Sequence, residues 1–178
     1  SLGKMRTEES VLWSFAPHDI SMLLSLAHAM PHGVGAWGHA RLQPRLWDYA
    51  GATLQFSGGL TACLFVSWLF PFKEHRLVVA GERGMAVFDD TLPWEKKLVM
   101  YRSGVRWDGG IPQADKGEGE AVALVPGEPL RNELEHFLEC ITTRRQPLTD
   151  GAEGLRVLRV LEAADSAIRS GQRQSTAA

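Results

Sequence analysis

The chain has 178 residues, of which 44% are hydrophobic and 22% charged, and its formal net charge at pH 7 is -2. This length and composition are typical of one globular domain with a sizeable core. A charge so close to zero gives no electrostatic basis for nucleic acid or an anionic membrane as a partner. The polar N-terminus does not resemble a signal peptide, and no apolar run reaches the roughly 18 residues of a spanning helix. We therefore expect a cytoplasmic protein with no membrane partner.

The first predicted helix carries a histidine and an aspartate near its start. Apolar residues recur at helical spacing over 20–30, and Pro17 is favoured in the first turn of a helix, where its missing N–H costs nothing. This places His18 and Asp19 in the first turn, where free amides and the helix dipole favour an anion. A neutral imidazole there could exchange a proton with a bound molecule. In the alternative, Asp19 only caps the helix and His18 is a hydrogen-bonded core residue.

Residues 33–38 match the dinucleotide-binding pattern G-x-G-x-x-G letter for letter. A dinucleotide-binding loop comes after a buried strand and opens a helix, whereas here a helix precedes the pattern and Pro44 interrupts the segment after it. The segment is therefore predicted to be a strand and not a cofactor site.

Short runs rich in Val, Phe, Trp and Leu then predict an antiparallel series of strands. Turns at 57–59 and 81–84 close two hairpins, and the glycine-rich segment 103–119 is predicted to be a long loop. The predicted strands cover 47–56, 60–69, 77–80, 85–88 and 97–102.

Two amphipathic helices, 129–144 and about 151–168, are predicted to end the domain by covering the sheet. A capping pattern at 149–153 precedes the second one. The fold class is therefore α+β, with an open, mainly antiparallel sheet of about six strands and helices on one face. If the other face is apolar, it is an oligomer interface.

Other chemistries lack their residue patterns. The histidines are not at metal-ligand spacing, Ser57 lies in a hairpin turn, and Cys63 and Cys140 are predicted to be buried, reduced thiols. The charged run 73–76 is predicted to be a solvated strand edge, with an anion contact or a subunit contact as the alternative. Proton transfer at His18 is the chemistry that the residues favour.

Five strings carry a resemblance to a known family. They resemble the C-terminal half of the glucose-fructose oxidoreductase, inositol dehydrogenase and MocA-like family, and within it the UDP-N-acetylglucosaminuronate 3-dehydrogenases. The first string, which contains Ala16-Pro-His-Asp19, is the most specific. The strings lie at 3–20, 65–79, 84–90, 135–140 and 149–158.

The resemblance implies a catalytic role for His18 as the proton acceptor for a sugar hydroxyl. A common family pattern has an aspartate four residues earlier, where this chain has Ser14, which leaves Asp19 as the candidate partner. Lys4, Arg6 and Ser14 are candidate substrate contacts, since cations could bind a uronate or a diphosphate.

The resemblance also implies separate roles for two domains. Residues 1–170 would be the substrate-binding and oligomerisation domain and 171–178 a disordered tail, with NAD or NADP held mainly by an N-terminal Rossmann domain absent from this chain. The substrate would be a sugar nucleotide, and homodimers or homotetramers would form through the open sheet face. The isolated chain would be inactive and would need no metal. The alternative is a stand-alone, non-enzymatic binding or oligomerisation module that uses the same face.

Overall fold

A computed structural model describes residues 5–102, 104–115 and 117–176, with the backbone alone at 105, 106, 114 and 115. Its order of elements confirms the α+β class. The helices are α1 (Val11–Ala27), α2 (Pro129–Thr143) and α3 (Gly151–Ser170). The strands are β1 (Gly33–His39), β2 (Tyr49–Gln55), β3 (Thr61–Ser67), β4 (Arg76–Gly81), β5 (Gly84–Asp89), β6 (Leu98–Tyr101), β7 (Gly104–Asp108), β8 (Ile111–Asp115) and β9 (Gly119–Ala121).

All strand pairs are antiparallel, and they form sheets ordered β1-β2-β3, β4-β5-β6-β9 and β7-β8. The chain divides into two compact units. The first contains residues 1–71 and 139–178, and the second contains residues 72–138.

In the first unit, α1 and α3 pack on one face of the β1-β2-β3 sheet. Alternate residues of each strand are buried against the helices, since successive side chains of a strand point to opposite faces. Helix α3 begins at the predicted cap, where the Asp150 carboxylate accepts a hydrogen bond from the Glu153 amide at 2.9 Å. The core residues from the sheet include Val34, Ala50, Ala52, Leu54, Leu64 and Val66.

Helix α1 begins at Val11, so the prediction that Pro17 opens it is wrong. A proline inside a helix removes one hydrogen bond and costs about 3 kcal/mol. Burying one Val, Leu or Ile side chain contributes about 1.5–3 kcal/mol, so the buried side of α1 outweighs that cost. His18 and Asp19 consequently lie about two turns inside the helix, beyond the reach of its free N-terminal amides. Five residues on the buried side have no solvent exposure: Val11, Leu12, Ala16, Ile20 and Leu24.

In the second unit, the segment predicted as a long loop folds into strands. β7 and β8 form a hairpin with a two-residue turn at Gly109 and Gly110, whose φ angles of 56° and 82° suit glycine. β9 comes next and pairs with β6. This segment raises the number of strands to nine among the described residues, compared with about six predicted.

The charged run 73–76 forms ion pairs within the second unit. The Asp90 carboxylate lies 2.8 Å from the Lys73 ammonium and 2.6 Å from that of Lys97, and these hydrogen bonds hold the pKa of Asp90 well below its usual range. The Arg76 guanidinium lies 3.2 Å from Asp89. Lys73 and Arg76 therefore form ion pairs with carboxylates of this unit. A subunit contact had been the alternative for them.

Helix α2, which was predicted to cover the sheet, crosses the boundary between the two units after residue 138, and its side chains Leu130 and Leu134 are 63% and 54% exposed. A disordered tail was predicted from residue 171. The backbone of Gln174 exchanges two 2.8 Å hydrogen bonds with that of Val34 at the edge of β1, and residues 177–178 lie outside the described part.

Candidate active site on helix α1

Helix α1 has a buried side and an open side, and the predicted catalytic histidine lies on the open one. Four polar residues at intervals of three or four share one face of the helix: Ser14, His18, Ser21 and Ser25. His18 and Ser25 are exposed, and the other two are half-buried. Because the opposite side packs into the core, His18 is carried on a rigid support.

The His18 imidazole has no hydrogen-bond or ion-pair partner among the residues that the structure describes. Both ring nitrogens are therefore accessible to a bound molecule. Imidazole is the side chain that most readily exchanges a proton near neutral pH. The arrangement can act as a general base, provided that the substrate is positioned by other residues.

Ser14 and Asp19 differ in their placement relative to His18. Ser14 lies one turn before His18 on the same face, so both side chains can reach one ligand. Asp19 is half-buried, and successive residues of a helix point about 100° apart. The two side chains of His18 and Asp19 therefore leave the helix in different directions.

The segment before α1 places a cation close to its N-terminus. The Arg6 guanidinium forms an exposed 2.6 Å ion pair with Glu9, and the Arg6 carbonyl accepts a 3.0 Å hydrogen bond from the Gln43 amide. Such an exposed pair contributes about 0–1 kcal/mol, so an anionic ligand could replace Glu9 at low cost. Lys4, the other predicted cation, lies outside the described residues.

An aromatic cluster covers the open face of the β1-β2-β3 sheet. The strand register aligns Trp37, Gly51 and Phe65 across the sheet, and the Trp37 ring lies over Gly51 so closely that an added Cβ would sit 2.7 Å from it. Trp37 and Phe65 are 49% and 45% exposed. Neighbouring ring centroids are 5.1–6.4 Å apart, the spacing of favourable aromatic pairs. The rings that form this cluster are Trp37, His39, Tyr49, Phe65 and Phe70.

The sequence left open whether this face is apolar, and most of this aromatic cluster was missed. The sequence signal that could have revealed this cluster is the alternation of Trp37 and His39 along β1. In the structure, His39 pairs with Tyr49 on the neighbouring strand. The same face corrects a further prediction, since Cys63 is exposed between Thr61 and Phe65, whereas Cys140 is buried as predicted.

The described residues contain no cluster of three or more His, Cys, Asp or Glu side chains that could hold a metal ion. The glycine pattern at 33–38 lies in strand β1, as predicted, and pairs with β2 along its length. It therefore cannot form the loop at a helix N-terminus that binds a pyrophosphate.

Comparison with known proteins agrees with this architecture. Residues 3–87 match the family model described as GFO/IDH/MocA C-terminal domain. This half of the chain is therefore similar to a GFO/IDH/MocA C-terminal domain. The matched range contains α1 with His18, the complete β1-β2-β3 sheet and the strand β4.

Solved structures similar to this chain include several oxidoreductases. UDP-N-acetylglucosamine 3-dehydrogenase GnnA from Acidithiobacillus ferrooxidans is 27% identical with a TM-score of 0.76, over 92% of this chain and 48% of that one. Aldose-aldose oxidoreductase from Caulobacter crescentus is 24% identical with a TM-score of 0.72, over 98% and 50%. An NAD-binding protein from Listeria innocua shares the fold at 17% identity, with a TM-score of 0.70, over 93% and 51%.

The chain thus spans about half the length of the solved structures that it matches. No curated protein matches the sequence. Within the described residues, none of the helices combines the length and the apolar character needed to cross a membrane.

Proposed function

We propose that this chain is the substrate-binding and oligomerisation half of an NAD(P)-dependent sugar-nucleotide dehydrogenase that oxidises the C3 hydroxyl of a UDP-hexuronate. The observation that carries the proposal is the exposed His18 imidazole on the open side of α1, within the range that is similar to a GFO/IDH/MocA C-terminal domain. The similarity to a UDP-N-acetylglucosamine 3-dehydrogenase supports the choice of a UDP-sugar and of its C3 position.

In the proposed reaction, the sugar hydroxyl donates its proton to a ring nitrogen of His18, and the hydrogen on the same carbon leaves as hydride. NAD(P), when bound, supplies the hydride acceptor. Ser14 lies one helical turn from His18, where its hydroxyl can bind a neighbouring sugar oxygen. Arg6, with Lys4, would balance the charge of a uronate or a diphosphate.

The described residues do not fit the pyrophosphate of a dinucleotide, because the glycine pattern forms strand β1. We therefore assign the nicotinamide cofactor mainly to the N-terminal half of a longer polypeptide. The relatives carry about as much chain again as this one, which is room for such a half.

The direct test is a turnover assay on the protein expressed from the complete open reading frame. We expect nicotinamide reduction with UDP-N-acetylglucosaminuronate, at a kcat/KM about tenfold above that for UDP-N-acetylglucosamine. One hydrogen bond to a charged group, worth about 1.5 kcal/mol, would account for the difference. The 178-residue chain alone should give no turnover. Absence of both cofactor binding and turnover in the longer protein would contradict the proposal.

The aromatic cluster supports a second candidate function, in which the open sheet face forms a homodimer or homotetramer with or without catalysis. Aromatic side chains are enriched at protein interfaces, and exposed apolar patches of this kind mark them. A two-fold axis across the β1-β2-β3 sheet would bring two copies of the cluster together as one isologous interface. This would be the whole function of the chain if no nucleotide-binding half existed.

Replacing Phe65 with arginine should separate the subunits. The substitution inserts a charge into the centre of the aromatic cluster, and the loss of one central aromatic contact weakens an interface by about 2 kcal/mol or more. We expect the dissociation constant to rise at least about 30-fold, measured by size-exclusion chromatography with light scattering over a dilution series. Leu92→Arg, which changes an exposed leucine of the second unit, is the matched control. An unchanged assembly in Phe65→Arg would remove this face as the interface.

A further inference from the structure

The loop between β1 and β2 contains an arginine in a backbone conformation that arginine rarely adopts. The Leu46 amide donates a 3.4 Å hydrogen bond to the Gln43 carbonyl, so residues 43–46 form a β-turn. Pro44 occupies its second position, and Arg45, with a φ of 69°, its third, which are the features of a type II turn. The third position of such a turn favours glycine, because a Cβ in the left-handed region is strained. We call residues 43–46 the Arg45 turn.

No contact within the described part of the chain accounts for an arginine at this position. The Arg45 side chain is exposed, and it forms no hydrogen bond or ion pair with the residues that the structure describes. Glycine would relieve the strain without removing any of these contacts. Strained residues that the fold itself does not use are concentrated at ligand-binding sites. The guanidinium group is the part of Arg45 that a ligand can use, and its fork of N–H donors matches phosphate and carboxylate groups.

The rest of the loop holds this turn in place and adds a second cation. The Asp48 amide donates a 2.9 Å hydrogen bond to the His39 carbonyl and so closes the loop at its base. The buried Asp48 carboxylate accepts hydrogen bonds from two amides of the loop, one of them that of Arg41. The Arg41 side chain is exposed and, like that of Arg45, has no ion-pair partner among the described residues. Residues 39–47 contain no acidic residue, so this loop presents two unpaired guanidinium groups.

This turn lies beside the start of the helix that carries the candidate general base. The Trp47 carbonyl, directly after the turn, accepts a 2.9 Å hydrogen bond from the Val11 amide at the start of α1. The Gln43 side chain donates a 3.0 Å hydrogen bond to the Arg6 carbonyl in the segment before α1. His18 follows Val11 by seven residues, which is about 10 Å along the helix axis. The sugar and the diphosphate of a sugar nucleotide are a comparable distance apart, so one such ligand could reach both places.

We propose that Arg41 and Arg45 bind the diphosphate of the sugar nucleotide. The inference rests on the proposed function, because it supplies the phosphate contacts of the substrate in that reaction. Two guanidinium groups suit a diphosphate, since each can donate a bidentate pair of hydrogen bonds to one phosphate group. With the diphosphate bound to this loop, Arg6 is left for a uronate carboxylate. The pyrophosphate of the nicotinamide cofactor has the same chemistry, and the experiment below distinguishes the two sources.

The test is the variant Arg45→Gly in the full-length protein, with the binding of UDP and of uridine measured by isothermal titration calorimetry. Loss of one charge-assisted contact should weaken UDP binding about tenfold, and Arg41→Ala should have a similar effect. Uridine has no phosphate, so its affinity should stay within about twofold of wild type. Glycine relieves the strain in the turn, so the thermal unfolding midpoint of Arg45→Gly should rise by about 2 °C. A purely structural role for the arginine would instead lower the midpoint and leave the affinity for UDP unchanged.

The matched control is Arg144→Gly, because Arg144 is also exposed and has a positive φ of 56°. This control should raise the midpoint to a similar extent without changing the affinity for UDP. Wild-type affinity for UDP in Arg45→Gly would overturn the proposal, as would an equal loss of affinity for uridine or a wild-type protein that does not bind UDP. Weaker binding of the nicotinamide cofactor with unchanged UDP binding would also overturn it, because that result assigns the turn to the dinucleotide. Should the wild-type protein bind UDP but reduce no nicotinamide, the proposed function fails, while the UDP affinity of Arg45→Gly still tests this site.

Discussion

Replacing His18 with alanine in the full-length protein should lower turnover by about 10² to 10⁴-fold, the range for the loss of a general base. The side chain is exposed and makes no contact on which folding depends, and alanine favours a helix more than histidine does. The loss should therefore fall on kcat at nearly unchanged stability, measured by steady-state kinetics and thermal unfolding.

His32→Ala is the matched control, since it removes another exposed imidazole from the turn after α1. It should leave turnover within about twofold of wild type. A loss under about threefold in His18→Ala, with the fold intact, would take His18 out of the mechanism. A large loss accompanied by an equal fall in stability would instead give it a structural role.

The sequence predicted most elements correctly where one signal dominated. Helix α3 combines a capping aspartate, a uniform apolar stripe and Gly171 with a φ of 66° just beyond its end, and each signal indicates the same limits. The hairpin of β2 and β3 was found for a similar reason, because its strands are rich in apolar residues and the turn at 57–59 holds two glycines with positive φ.

The start of α1 was mistaken because a local rule for proline was given more weight than the apolar period. Positions 12, 16, 20 and 24 are all apolar and four residues apart, a pattern that runs straight through Pro17. Tertiary packing of that side overrides the proline penalty, which a rule about isolated helices does not include. The error placed His18 at a helix end, whereas the structure places it in the middle of the open side of α1, where the helix dipole has no part in the candidate mechanism.

The β7-β8 hairpin was missed for a different reason. Asp108-Gly-Gly is a standard signal for a two-residue hairpin turn, but the many glycines around it also indicate a loop. The buried or exposed state of Cys63 could not be predicted either, because β3 is apolar on both faces and its period gives no direction. The candidate site depends on which way its side chains point, so the sequence proposed His18 as a candidate without predicting its surroundings.

The dipeptide Trp47-Asp48 connects α1, the sheet and a surface loop, and it was not found from the sequence. The Trp47 carbonyl accepts a 2.9 Å hydrogen bond from the Val11 amide at the start of α1, and the Trp47 indole donates to Asp165 on α3 at 3.1 Å. Asp48 has no solvent exposure. Its backbone amide donates a hydrogen bond to the His39 carbonyl, and its carbonyl accepts one from the Trp68 amide. This dipeptide therefore connects the first residue of α1 to the segment before β2 and to α3.

Replacing Asp48 with alanine should lower the free energy of unfolding by about 3 kcal/mol. One carboxylate oxygen accepts hydrogen bonds from the backbone amides of Arg41 and Leu42, the latter at 2.8 Å, and alanine leaves both donors without this acceptor. Each hydrogen bond to a charged group contributes about 1.5–3 kcal/mol, and the two are not additive because they share an oxygen. Asp48→Asn keeps an acceptor and should cost about 1 kcal/mol, while the exposed control Asp108→Ala should stay within about 0.5 kcal/mol of wild type. Urea unfolding followed by tryptophan fluorescence measures all three. If Asp48→Ala unfolds at the wild-type midpoint, water satisfies the two amides, and the Asp48 carboxylate does not stabilise the fold.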